Sequence, residues 1–321
     1  MMIFFLILIN IFSDNIIMSF KNFKCNFCQR CLGFGCQGQM PGMGGVNDSL
    51  NFQLNCNAWK KYTPTLYNYE NAENLLPQIR LAPITGSVEN IGYPCEEKFY
   101  YHITQACKNA QINLSVGDGF PDFKFQYGVH AIEKLNLIDG TKAAFFIKPY
   151  TNDKIFERIE WSQKIASHIG IDIDSFNILT MKKLVQLEKK SASQLNQIKK
   201  SIKVPFVLKG IFTKESVELV KEVKPDVVVV SNHGGRIETE TGSTADFLNN
   251  YGLTLSNYCE ELWVDGGLRT FSDLLAARFL GATEVLIGRP LVSALCSGGE
   301  KKVWEFIHFI QNPEHSFCFS F

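Results

Sequence analysis

A short segment, Ser231-Asn-His-Gly-Gly-Arg236, carries the side chains best suited to acid–base chemistry. A histidine exchanges a proton near neutral pH, and an arginine three residues further along can hold a carboxylate through two parallel hydrogen bonds. Asp174 is the carboxylate that would orient His233. A histidine that only hydrogen-bonds a turn is the simpler alternative. The glycine pair, Arg236 and the carboxylate partner together favour catalysis.

Two later glycine-rich segments are suited to binding a phosphate. They are Asp265-Gly-Gly-Leu-Arg269 and Gly288-Arg289. Glycines let backbone N–H groups approach an anion closely, and arginine side chains can pair with it. Taken alone, either motif could instead be an ordinary glycine turn beside a surface arginine. The occurrence of both motifs favours a phosphate site.

Four cysteines near the N-terminus have the spacing of a metal site. Cys25, Cys28, Cys31 and Cys36 are close enough in the chain for their thiolates to converge on zinc or an iron–sulfur cluster. Four reduced cysteines in a surface loop are the alternative. The total of 10 cysteines in 321 residues is too small for a disulfide scaffold.

Positioning these side chains requires a regular series of strands. Short apolar runs recur along the chain, each followed by a turn and a helix-length segment. They predict strands at Ile79–Pro83, Ile112–Val116, Ala143–Ile147, Ile169–Ile173, Val204–Leu208, Val227–Val230, Leu262–Val264 and Val285–Ile287. The intervals leave room for one helix per crossover, and Thr213 and Thr270 are suited to capping two of these helices. The expected fold is α/β, a single TIM-type (β/α)8 barrel with a Cys-rich N-terminal segment.

The polar and glycine-rich residues fall after the predicted strands. In such barrels the active site lies at the carboxyl ends of the strands, and phosphate binds after strands seven and eight. His233 follows the sixth predicted strand, Asp265 the seventh and Gly288 the eighth. The pattern therefore predicts one site at one mouth of the barrel.

The ends of the chain lie outside the predicted barrel, which we place at residues 77–312. Residues 1–17 are largely apolar but too short to span a membrane. We interpret them as an upstream extension absent from the mature protein, with a secretory signal peptide as the alternative. Residues 18–76 form the Cys- and Gly-rich N-terminal segment, and residues 313–321 form a tail.

The composition excludes general polyanion binding. The chain has 32 basic and 32 acidic residues, and its 45% hydrophobic content is ordinary for a globular protein. Non-specific binding to nucleic acid needs a surplus of lysine and arginine. We therefore expect no nucleic-acid partner. We also predict a cytoplasmic protein without a membrane partner.

Four ordered motifs resemble the FMN-dependent 2-hydroxy-acid oxidases and dehydrogenases, the lactate and glycolate oxidase group. They are Val204–Ile211, Val230–Arg236, Val264–Arg269 and Leu286–Pro290. The Cys-rich head followed by Gln39–Gly45 is similar to a bacterial branch of alpha-hydroxy-acid oxidising proteins. The resemblance implies FMN as the cofactor, a small 2-hydroxy acid such as lactate as the substrate, and a homo-tetramer.

The resemblance also implies a role for each site residue. His233 would take a proton from the hydroxy acid while hydride passes to flavin N5, with Asp174 orienting His233. Arg236 would anchor the substrate carboxylate, and Tyr150 would also contact the substrate. Lys209 would lie by flavin N1 and O2, where reduction develops negative charge. The residues implied to bind FMN are Ala82, Thr85, Lys148, Lys209, Ser231, Asp265, Gly267, Arg269, Gly288 and Arg289.

The sequence departs from the family pattern in three places. Lys148 stands where the oxidases carry a glutamine, the Ser175–Thr180 loop lacks their arginine, and the Cys-rich head replaces an early tyrosine. The substrate and the electron acceptor are left open. A flavin-dependent isopentenyl-diphosphate isomerase and a catalytically silent flavin- or metal-binding barrel are the alternatives. The oxidoreductase is favoured over a silent barrel because the sequence retains all four residues with catalytic roles, which are His233, Asp174, Arg236 and Lys209.

Overall fold

The computed structural model describes residues 49–64, 75–88, 93–177 and 184–313. Within these residues the strands are β1 Gln78–Leu81, β2 Ser115–Gly117, β3 Ala143–Ile147, β4 Ala166–Asp172, β5 Phe206–Ile211, β6 Val227–Val230, β7 Glu261–Asp265 and β8 Glu284–Ile287. The helices are α1 Leu50–Ala58, α2 Glu96–Asn109, α3 Phe123–Asp139, α4 Asn152–Ser162, α5 Ala192–Ser201, α6 Lys214–Val223, α7 Thr244–Ser256, α8 Phe271–Phe279 and α9 Arg289–Gln311. Strands and helices alternate from β1 onwards.

The strands form one parallel sheet in the order β1-β8-β7-β6-β5-β4-β3-β2. Its two ends meet where Arg80 of β1 forms a parallel bridge with Asn113, just before β2. The sheet is therefore a nearly closed barrel, and the predicted single (β/α)8 barrel is confirmed. The proposed metal site at Cys25, Cys28, Cys31 and Cys36 lies outside the described residues.

The predicted strands coincide with the observed ones, but several bounds differ. β3 and β6 have the predicted bounds. β2 was expected from Ile112 but begins at Ser115, because Asn113 pairs with Arg80 only as an isolated bridge outside the strand. β5 begins after Pro205, which has no N–H to give to the ladder, and runs on to Ile211. An apolar run therefore located each strand, but hydrogen bonding decided where it begins and ends.

The helix caps expected from the sequence are present. The Thr213 side chain accepts from the backbone N–H of Ser216 at the start of α6, and Thr270 accepts from Asp273 at the start of α8. The final helix, α9, has a backbone break at Gly298–Gly299 that divides it into two parts. No helix in the described ranges is long and apolar enough to cross a bilayer.

Apolar side chains fill the middle of the barrel. Ala144, Phe146, Val207, Val227, Val229, Trp263 and Leu286 form a buried cluster of alternate residues inside the sheet. Intervening residues such as Phe145 and Val228 are buried between the sheet and the helices. Because the middle layer is filled, a ligand can enter only at a mouth of the barrel.

A buried ion pair closes the barrel between its first and last strands. Arg80 Nη2 lies 3.0 Å from Glu284 Oε2, and both side chains are at most 4% exposed. The Arg80 guanidinium also donates to the Leu114 carbonyl (2.8 Å) and stacks over the Trp263 ring. Arg80 therefore joins β1 to β8 and to the chain leading into β2.

We expect Glu284→Ala to lower the free energy of unfolding by about 3–5 kcal/mol, because it leaves the Arg80 charge buried and unpaired. Denaturant titration measures this loss. Lys189→Ala, which removes an exposed ion pair with Glu215, is the control and should cost at most about 1 kcal/mol. Equal losses in the two variants would contradict the proposed closing role.

Candidate functional site

The alternation of the strands brings five of the predicted site residues to one mouth. Phe146, Val207, Val229, Trp263 and Leu286 face the barrel interior, so the residue two positions later lies on the same side of its strand. Those later residues are Lys148, Lys209, Ser231, Asp265 and Gly288. All of them lie at the carboxyl ends of their strands, above the apolar layer.

His233 occupies a tight turn at this mouth. Its backbone has φ +57, and its N–H donates to Ser231 Oγ (3.1 Å). Gly235 has φ +90, and a Cβ there would lie 2.4 Å from the Phe52 backbone nitrogen. The turn therefore requires glycine at position 235, which explains part of the His-Gly-Gly motif.

The His233 ring faces two carboxylates. Its Nδ1 lies 3.1 Å from Asp174 Oδ1 and 3.6 Å from Asp172 Oδ2. The predicted His233–Asp174 contact is therefore formed in the structure. Asp172 was not among the predicted site residues. The signal that could have found it is the repeat Ile171-Asp172-Ile173-Asp174, because residues two apart on a strand share a face.

Asp172 connects His233 to Lys209. The Lys209 ammonium lies 2.9 Å from Asp172 Oδ1, donates to Ser231 Oγ (3.1 Å) and lies 3.6 Å from Asp265 Oδ2. Ser231 Oγ in turn donates to Asp265 Oδ2 (2.7 Å). Asp172, Asp174 and His233 hold ligand-type atoms within 4.8 Å of one another. The ammonium of Lys209 already supplies the positive charge beside this group.

The protonation states follow from this arrangement. Although burial opposes ionisation, Lys209 holds the pKa of Asp172 well below its usual range, and Asp172 raises the pKa of Lys209. Burial and the Asp172 charge raise the pKa of Asp174. Burial lowers the pKa of His233 to about 3, with Asp172 opposing the shift. His233 is therefore neutral at pH 7, and of the two carboxyl groups Asp174 takes up a proton first.

A cavity that is open to solvent lies beside His233. The predicted residues that line it are Ala82, Thr85, Lys209, His233, Arg236, Asp265, Gly267, Arg269, Gly288 and Arg289. Ser231, Lys148 and Asp174 are buried and are not among the lining residues. Tyr150 is also outside the lining, and its ring lies against the Lys154 ammonium (4.7 Å) and near the Arg158 guanidinium (5.9 Å).

Three arginines make one end of this cavity cationic. Burial, together with Arg236 and Arg269, lowers the pKa of Arg289 to about 9. The Arg289 guanidinium donates to the Gly234 carbonyl and lies 4.4 Å from the Phe52 ring centre. Arginines that disfavour one another's charge are stabilised by an anion placed between them. This end of the cavity is therefore suited to a phosphate.

Helix α1 packs on the same loops, although its sequence gave no sign of this. Asn55 Nδ2 donates to Asn232 Oδ1 (2.8 Å), and Asn55 Oδ1 accepts from the Thr244 backbone (2.9 Å). A Cβ on Gly267 would lie 2.1 Å from the Asn55 carbonyl oxygen. The glycine in the phosphate motif is thus needed for packing against α1, as well as being available to an anion.

Glu96 fixes the loop that forms another wall of the cavity. Its buried carboxylate accepts from the backbone N–H groups of Gly86 (2.8 Å), Ser87 (3.1 Å) and Val88 (3.0 Å), and from the Ser87 hydroxyl (2.9 Å). Sequence reasoning missed this residue, since an acidic residue in the first turn of a helix is common.

We expect Glu96→Ala to lower the free energy of unfolding by about 1–3 kcal/mol, because it leaves several hydrogen-bond donors of the loop without their acceptor. The loss is measured by denaturant unfolding, and faster amide hydrogen exchange at Gly86–Val88 locates it. Glu97→Ala is the matched control, because Glu97 lies in the same helical turn but is exposed. Similar exchange at this loop in both variants would refute the role of Glu96.

Fold and site together define a (β/α)8 barrel with a phosphate-type pocket beside a histidine paired with a buried carboxyl group. The family of FMN-dependent dehydrogenases matches residues 144–314, which is more than half of the chain. The chain belongs to this family. The resemblance seen in the four sequence motifs is thereby confirmed.

Individual relatives match a smaller part of the chain. 2-Hydroxyacid oxidase 2 of Homo sapiens is 37% identical over 114 residues, which are 36% of this chain and 32% of the relative. L-lactate dehydrogenase (cytochrome) of Wickerhamomyces anomalus is 37% identical over 119 residues, 36% of this chain and 21% of the relative. The matched region thus spans about a third of the relatives' length or less.

The fold is also similar to that of solved structures. A crystal structure of mandelate oxidase with (S)-2-phenylpropionate superposes with a TM-score of 0.62 and 16% identity. The superposition covers 86% of this chain and 88% of the mandelate oxidase chain. At this identity the likeness concerns the fold.

Proposed function

We propose that the protein is an FMN-dependent oxidoreductase that oxidises a small 2-hydroxy acid to the 2-oxo acid. The observation that carries the proposal is the neutral His233 bound to Asp174 beside a cavity with a cationic end. Named relatives include 2-hydroxyacid oxidases and a lactate dehydrogenase, which supports this substrate class.

The residues present fit FMN. Arg269 and Arg289 would hold the phosphate at the cationic end of the cavity. Among the described residues, the buried Asp265 Oδ1 is without a hydrogen-bond partner and would accept from a hydroxyl of the cofactor. Lys209 would stabilise negative charge on the flavin. When bound, FMN supplies the acceptor for the hydride removed from the substrate.

His233 would act as the base. With Nδ1–H donated to Asp174, the opposite ring nitrogen Nε2 carries the lone pair that takes the proton from the substrate hydroxyl. Asp174 fixes the tautomer and the ring orientation. The exposed Arg236 lies at the cavity rim, where it would bind the substrate carboxylate.

Other features remain predictions from the sequence. They are lactate as the default substrate, contact of Tyr150 with it, a cytoplasmic location, a homo-tetramer, and zinc or an iron–sulfur cluster at the N-terminal cysteines.

Anaerobic titration of the FMN-loaded protein with L-lactate, glycolate and mandelate tests the proposal. At least one of these acids should bleach the visible flavin absorbance. His233→Ala should slow bleaching by about 100-fold or more, since general-base catalysis is worth about that much, while FMN stays bound. His130→Ala, at an exposed position on α3, is the control and should behave like the parent protein. Absence of bleaching with every 2-hydroxy acid would rule out the function.

The lowered pKa of His233 gives a second prediction. Only the neutral ring can accept a proton, and the pKa of about 3 lies well below the usual histidine value. The rate constant of flavin reduction should therefore stay level as the pH falls from about 8 to about 5. Stopped-flow absorbance measures it. An acidic limb with an apparent pKa of about 6.5 would show an unperturbed histidine instead.

A further inference from the structure

Three charged residues form a row across β3, β4 and β5. Ile147 of β3 pairs with Ile171 of β4, which places Lys148 beside Asp172. Asp172 in turn pairs with Lys209 of β5. Because paired residues of parallel strands face the same side, the row alternates positive, negative and positive at the barrel mouth. We call Lys148, Asp172 and Lys209 the charge row.

All three side chains are buried, but only one of the two lysines is in direct contact with the carboxylate. Lys148 and Asp172 are 5% exposed and Lys209 is 2% exposed. Lys209 lies 2.9 Å from Asp172. Within the described ranges, Lys148 has no ion-pair partner and no side-chain hydrogen bond, although its backbone N–H points at Asp118 Oδ2 (3.5 Å). Burying an ammonium group that has no direct partner is costly in free energy. Charges that lie near Lys148 without touching it must therefore offset this cost.

Three nearby carboxyl groups offset the burial of Lys148. Burial lowers the pKa of Lys148, whereas Asp172, Asp118 and Asp174 oppose the shift. Of the three carboxyl groups, Asp172 has the largest opposing effect on the pKa of Lys148, and the strand register also places it next to Lys148. Without Lys148, the positive charge of Lys209 would be neutralised by Asp172 alone. With Lys148, the charge row keeps one net positive charge.

We propose that Lys148 is a positioning residue that acts through Asp172: it offsets the Asp172 charge, so that Lys209, the member of the charge row that lines the cavity, would present an uncompensated positive charge to the flavin and raise the flavin's reduction potential. This inference rests on the proposed FMN-dependent function. Reduction adds negative charge to the flavin, so a net positive row favours the reduced form.

Midpoint potentials of the FMN-loaded single and double variants test the charge balance. Lys148→Gln should weaken binding of reduced FMN relative to oxidised FMN by about tenfold, which lowers the two-electron potential by about 30 mV. Asp172→Asn should shift the potential in the opposite direction. The double variant restores the net charge of the row and should return to within about twofold of the parent ratio.

Two further variants separate charge from structure. Lys148→Arg keeps the charge and should keep the potential close to that of the parent. Lys190→Gln is the matched control, because Lys190 is also a buried lysine but its ammonium pairs with Glu188 (3.0 Å) and is not a member of the charge row. It should change the thermal stability and leave the potential unchanged.

The outcomes distinguish this inference from the proposed function. Failure of the parent protein to bind FMN would overturn both. Bound FMN with an unchanged potential in Lys148→Gln, or shifts that do not compensate in the double variant, would overturn the charge-row inference alone. A raised KM in Lys148→Gln without a change in potential would instead make Lys148 a substrate ligand. If Asp172→Asn does not fold, the comparison of Lys148→Gln with Lys148→Arg decides.

Discussion

The contact between Lys209 and Asp172 controls the electrostatics of the whole site. Two buried charges 2.9 Å apart hold each other ionised, and the Asp172 charge then acts on the other titratable groups of the site. The ionised Asp172 raises the pKa of Asp174, so the second carboxyl group cannot easily become charged as well. Desolvation keeps the partly buried His233 ring neutral, although the Asp172 charge opposes this. A neutral base, its orienting group and a fixed cation are therefore assembled around one ion pair.

The filled interior of the barrel explains why that ion pair lies where it does. Apolar side chains such as Phe146, Val207 and Trp263 occupy the middle layer, and the next inward-facing residues are polar. Among the described residues, the cavity beside His233 opens at this polar layer. The other end of the interior holds the Arg80–Glu284 pair, which joins strands. The inward-facing residues of the strands thus form an ion pair that stabilises one end of the barrel and polar groups suited to catalysis at the other end.

Several residues serve packing and binding together. Gly235 and Gly267 lie against the backbone of α1, while their loops carry His233 and the phosphate-type cavity. Asn55 of α1 joins the His233 loop, through Asn232, to the first residue of α7, Thr244. Anchored in this way, the loops need little rearrangement when a ligand enters, which lowers the entropic cost of binding.

The sequence by itself determined the strand and helix order, the barrel and most of the cavity lining, because these depend on local apolar periodicity and on motifs read within a few residues. It also identified His233 and Asp174 as partners. It did not reveal Asp172, Glu96 or Asn55, and it did not show that the Tyr150 ring lies against Lys154. Only the tertiary structure decided these points. The strand register places Asp172 between two lysines, and contacts between distant segments give Glu96 and Asn55 their partners. Charge balance and hydrogen bonding act through space, so residues far apart in the chain determine them.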